Sequence, residues 1–119
     1  MWVAGCSSGI SSEQLAGTYL AKYTFGDEHL VLKSDGTFTQ DFVIRKGPPI
    51  SGMSGRWRYE QSDNALELTT NIDATDGFCR RASELRSGPA SFAPEREFLM
   101  WGRLHLGTGD NGCDLEKVA

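Results

Sequence analysis

From Gly17 onward, bulky side chains fall on every second residue. Tyr19, Ala21, Tyr23 and Phe25 alternate with Thr18, Leu20, Lys22 and Thr24, the two-residue period of an extended strand with one apolar face. Leu30 and Leu32 share a face of the next strand. Ser34-Asp35-Gly36 then predicts a tight hairpin, because glycine accepts the positive φ that such turns need. Phe38, Gln40, Phe42 and Ile44 carry the period back on the far side. Lys46-Gly47-Pro48-Pro49 interrupts it, since neither proline can donate to a ladder, and the loop runs to Gly52. Met53, Gly55, Trp57 and Tyr59 alternate with Ser54, Arg56, Arg58 and Glu60. After a turn at Gln61-Ser62-Asp63-Asn64, a fifth strand has Leu66, Leu68 and Ile72 as its apolar set. Strands joined by short turns predict an antiparallel meander.

Two readings of residues 73–96 remain open. Asp76 can cap a short helix with Phe78, Ala82 and Leu85 on one face, ending near Arg86 before Gly88-Pro89. The same stretch also fits an irregular strand. Residues 97–106 are strand-like, Gly109-Asp110-Asn111-Gly112 turns the chain, and Cys113 to Val118 makes a short last strand. At the other end, Ser11 and Gln14 have the spacing of a capping box around one helical turn. The expectation is an all-β domain, a small antiparallel meander of 7–8 strands closing into a barrel or strongly curved sheet. It has at most one or two short helices. Closure would remove the edges that invite aggregation.

Composition narrows the function rather than the fold. The 119 residues fit one domain, and 39% hydrophobic with 24% charged residues is the balance of a globular protein. A net charge of −4 argues against general binding to nucleic acid, which needs a surplus of Lys and Arg. No run approaches the roughly 20 apolar residues of a membrane-spanning helix.

Val3-Ala4-Gly5-Cys6 resembles the lipobox of bacterial lipoproteins, and Ser7-Ser8-Gly9 is similar to the polar tether that follows it in that family. The resemblance implies a lipid on the Cys6 thiol and an address on the periplasmic or surface side of the bacterial envelope. It also implies a division into a tether, residues 1–14, and a folded domain, residues 15–119. Only five residues precede Cys6, fewer than a secretion signal needs. With Cys6 lipidated, Cys79 and Cys113 remain as an even pair in an oxidising compartment. A disulfide between them would contribute about 3–4 kcal/mol in the chain-entropy picture; the alternative is two separate buried thiols.

A second resemblance rests on Leu15-Ala16-Gly17-Thr18-Tyr19, Leu30, Leu32, Asp35-Gly36-Thr37-Phe38 and Gly55-Arg56-Trp57. Over residues 15–72, with a looser fit at Leu115 to Val118, these look like the small lipocalin-like barrels of bacterial envelope lipoproteins. Tyr19 stands where lipocalins proper have tryptophan. Such motifs specify turns and core, so they imply a fold more than an activity.

No residue pattern reads as catalytic machinery, and no cofactor or metal is expected. Ser51-Gly52-Met53-Ser54-Gly55 is only superficially like a hydrolase elbow. Asp27-Glu28 and Asp73/Asp76 are the paired carboxylates that glycoside cleavage would need, though acids beside turns are usually solvated. Residues 71–77 depart from the calcium-loop pattern, and His29 and His105 lie in separate strands. Arg56 and Arg58, like Arg80, Arg81, Arg86 and Arg96, read as solvated faces balanced by glutamates.

The aromatic set carries more. Tyr19, Tyr23, Phe42, Trp57, Tyr59 and Phe98, with Phe38, can face one interior that is either packed solid or hollow enough for one small ligand. Trp101 and Arg103 fall on the face opposite Phe98 and could anchor a partner. The expectation is a non-catalytic, monomeric, lipid-anchored envelope protein binding a small apolar ligand or an envelope component. The alternative is a protein-interaction module, such as a cell-wall hydrolase (lysozyme) inhibitor or an immunity protein, with the Lys46 to Gly55 loop as the plug. A purely structural domain is the third reading.

Overall fold

The computed structural model describes residues 9–76, 79–98, 101–106 and 114–119, with the side chains of Glu97, Phe98, Trp101 and Gly102 outside that description. Cys6 and Cys113, read above as the lipidation site and as one half of the expected disulfide, lie outside the described residues.

The one helix among the described residues, α1 (Ser12–Leu15), begins with the expected capping box. The Ser11 N–H donates to Gln14 Oε1 (2.9 Å) and the Gln14 N–H to Ser11 Oγ (3.3 Å), satisfying two donors that a helix start leaves open. Nine strands follow: β1 (Gly17–Lys22), β2 (Gly26–Leu32), β3 (Thr37–Ile44), β4 (Met53–Glu60), β5 (Ala65–Thr75), β6 (Arg81–Phe92), β7 (Glu95–Phe98), β8 (Trp101–Leu106) and β9 (Leu115–Lys117). They form one antiparallel sheet in the order β6-β5-β4-β3-β2-β1-β9-β8-β7, curled into a half-barrel. The meander runs from β1 to β6, and β9 returns between β1 and β8. Although consecutive in sequence, β6 and β7 stand at the two ends of the sheet, so the barrel is open along that seam.

Local chemistry explains the turns. At the β2–β3 hairpin the Gly36 N–H donates to the Lys33 carbonyl, Gly36 takes φ of +89°, and Asp35 Oδ1 accepts from the Thr37 N–H and hydroxyl. Those bonds hold the exposed Asp35 carboxyl below its ordinary value. β1 ends sooner than the alternation suggests. The chain reverses at Thr24-Phe25, and Phe25 is buried at that corner.

Of the two readings of residues 73–96, the strand is observed. β6 pairs with β5, broken twice: between Leu68 and Asn71, and between Asp73 and Thr75. Pro89 falls at the first break, where no ladder donor is required. Leu85, which would have anchored the helix, is 47% exposed on β6.

Two apolar clusters fill the curl. The larger joins Leu15, Tyr19, Leu30, Leu32, Phe38, Leu66, Leu68, Leu104, Leu106 and Leu115, and it reaches back to Ile10, inside the stretch read as tether. The smaller holds Phe25, Ile50 and Ala74, with Phe42, Ile44 and Ile72 packed against it. Tyr23 touches both.

Candidate functional site

The aromatic set does not share one role. Tyr19 is fully buried and its hydroxyl donates to the Leu15 carbonyl (2.7 Å), fixing the end of α1. Burial pushes that hydroxyl's pKa up. Trp57 donates its indole N–H to the Lys33 carbonyl (2.8 Å), closing the β2–β3 turn. The Tyr59 hydroxyl donates to Asn64 Oδ1 (2.7 Å), and Asn64 Nδ2 donates to the Pro94 carbonyl (3.0 Å). This ties the β4–β5 turn to the β6–β7 corner. Phe42 packs in the smaller cluster. Phe98 and Trp101 are backbone partners across β7 and β8. Arg103, exposed on β8, is ion-paired with Glu116.

Tyr23 behaves differently. It lines an open-mouthed cavity of about 400 Å³ between β5 and β6 on one side and β8 and β9 on the other. Its ring stacks on Phe25 at 5.4 Å between centroids, and its hydroxyl donates to Glu28 Oε1 (2.6 Å). Glu28 is only 5% exposed. The two-residue period of β2 explains why: Glu28 shares the inward face with Leu30 and Leu32, while Asp27 points outward to pair with Arg45 at 2.7 Å. The acids read as a pair are thus on opposite faces of one strand.

Glu28 Oε2 accepts from Gln40 Nε2 (2.7 Å), and Gln40 is fully buried. Its amide also donates to the Ile72 carbonyl (3.0 Å) and accepts from the Ile72 N–H (2.8 Å). Neighbouring structure shows why a side chain does this work. The β3–β4 ladder stops at Gln40↔Met53 and the β4–β5 ladder at Trp57↔Leu68. Beyond those points β5 needs another partner for its peptide groups, and Gln40 supplies one from β3. The result is a buried chain of hydrogen bonds running Tyr23–Glu28–Gln40–Ile72.

Burial pushes the Glu28 carboxyl above its ordinary value and the nearby Asp73 charge adds to the rise, against the lowering effect of its two hydrogen bonds. Tyr23 is also raised, first by burial, then by Glu28, Asp73 and Asp114. Three carboxylates therefore converge on one phenol. Asp73 and Asp114 line the cavity with Arg86, and Phe92, Leu106 and Leu115 form its apolar wall.

Sequence reasoning found Tyr23 but not Glu28 and Gln40 as a pair. The signal was present: each is a polar residue on the inward side of an alternating strand. No protein-family profile, curated protein or solved structure matches this chain.

Proposed function

We propose that this domain is a non-catalytic binding protein of the bacterial envelope, taking a small, largely apolar ligand into the open half of its barrel. The carrying observation is the cavity of about 400 Å³, within the range typical of small-molecule sites and mixing an apolar wall with a few placed polar groups. Pyrene, uncharged and sensitive to its surroundings, tests this. Its emission is expected to take on apolar character as protein is added, and Ala90→Trp, which fills the cavity rim, is expected to weaken binding about tenfold or more. Emission that stays water-like at every protein concentration overturns the reading.

The lipobox-like Val3-Ala4-Gly5-Cys6 supports anchoring through Cys6, and an oxidising address supports a Cys79–Cys113 disulfide. The Cys79 carbonyl already accepts from the Thr24 N–H (3.0 Å), docking the β5–β6 turn on the β1–β2 turn. The mass of the protein isolated from envelopes checks both. An acylated Cys6 at the mature end, and a gain of two hydrogens on reduction, are expected. An unmodified Cys6 and a mass unchanged by reduction overturn them.

One observation favours the inhibitor reading as second choice. Residues 46–49 are exposed, yet Arg81 Nη1 donates to the Pro48 carbonyl (2.8 Å) and Ile50 is buried beneath them. A loop held in one shape loses little entropy when it docks. That reading requires a hydrolase complex sensitive to loop substitutions and indifferent to Ala90→Trp.

A further inference from the structure

The polar half of the cavity has a sign. Glu28 is 5% exposed, and among the described residues no Lys, Arg or His lies within ion-pair distance of it. A buried carboxylate is ordinarily met by a cation, because leaving it unpaired costs several kcal/mol. Here its two protein partners, the Tyr23 hydroxyl and the Gln40 amide, are both neutral. Each satisfies one lone pair without supplying charge. Asp73 on β5 adds a second negative charge to the same cavity, against Arg86 from β6. Arg86 stands opposite Asp73 across the β5–β6 ladder, and among the described residues it is ion-paired with neither Asp73 nor Glu28. Beside Glu28, the Tyr23 ring adds aromatic surface to the cavity, which attracts cations, while Phe25, stacked on Tyr23, already has the Arg81 guanidinium over it. Phe92 on the β6 side and Leu106 and Leu115 on the β8–β9 side suit a hydrocarbon.

Resting on the binding function above, we propose that the ligand is a small amphipathic amine, its ammonium group held by Glu28 beside Tyr23 and Asp73 and its hydrocarbon portion laid against Phe92, Leu106 and Leu115. The ammonium supplies the missing counter-charge, and the hydrocarbon portion covers the ring of Phe92, which is half-buried, beside the buried Leu106 and Leu115. The apolar wall alone would take any hydrocarbon; the carboxylate selects among head groups.

Hexylamine, hexanol and hexanoate share one tail and differ in head-group charge, so their affinities separate the two contributions. Backbone amide shifts of the full chain, followed as each compound is added, should give hexylamine about tenfold tighter than hexanol, with hexanoate weakest. Glu28→Gln should bring hexylamine to the hexanol level and leave hexanol unchanged. Asp73→Asn, at an exposed position, should weaken hexylamine alone by a smaller factor and keeps the test available if the Glu28 variant does not fold. Equal binding of hexylamine and hexanol, or tightest binding of hexanoate, overturns the amine assignment and leaves a cavity that binds hydrocarbon. Binding of none of the three overturns the amine and the binding reading together.

Discussion

Replacing Gln40 by leucine is expected to destabilise the domain by about 2–4 kcal/mol, although the leucine nearly matches its volume and is the more apolar residue. The cost arises on three polar groups at once. The Ile72 N–H and carbonyl lose the Gln40 amide that meets them beyond the end of β4, and Glu28 loses a hydrogen bond to Oε2. Each buried polar group left open costs about 1–3 kcal/mol, and the gain from burying an apolar side chain offsets part of the sum. Urea melts of the two proteins, followed by circular dichroism, check this. A leucine variant as stable as the parent would mean that water replaces the amide without penalty. Double substitution with Glu28→Gln should cost less than the sum of the singles, since the two residues share one network.

Phe38→Ala should cost about 3–5 kcal/mol, a large fraction of the 5–15 kcal/mol that holds a domain of this kind together. Phe38 is fully buried on β3 and stands opposite Gly55 on β4. Gly55 is small for a reason. A Cβ there would come within 2.8 Å of the Phe38 ring and 2.6 Å of Thr69 Oγ1, so the ring fills the space the glycine leaves. Thr69 Oγ1 meanwhile accepts from the Arg56 N–H (3.0 Å) where the β4–β5 ladder gives out. Truncating the ring empties both sides of that contact. The same urea melts read the effect as a lower midpoint at unchanged slope; a shift below about 1 kcal/mol would show that the core closes over the gap.

The comparison of sequence with structure has a physical pattern. Ser34-Asp35-Gly36 and the Ser11–Gln14 box were legible because their bonds lie within a few residues of one another. The strands of the meander were legible because one face of each is wet. The stretch around Leu85 was not, since Ala82 and Leu85 suit a helix as well as a strand and only pairing with β5 decides. The open seam was hidden for a related reason: which strands end a sheet is set by contacts between distant segments. At the site, Tyr23 was readable as an inward aromatic. The pairing of Glu28 with Gln40 was not, because it requires knowing that the β2–β3 register makes them diagonal neighbours on one face and that the β3–β4 ladder stops at Met53. An inward polar residue on an otherwise apolar face was the available clue.

The position of β9 has a consequence for how the molecule is made. Strands β1 to β6 each pair with the next, so that part of the sheet can assemble as it leaves the ribosome. The β7–β8 hairpin has no such neighbour; among the described residues its only strand pairing to the rest runs through Leu115–Lys117, which pairs with Tyr19 and Leu20 of β1. Until residues 115–119 emerge, the growing polypeptide carries an unfinished edge at β1, and the Thr18 N–H waits for the Ala119 carbonyl that will accept it at 3.1 Å. Chaperone contact during synthesis should therefore fall on β1 and on β8, the two strands that β9 finally bridges.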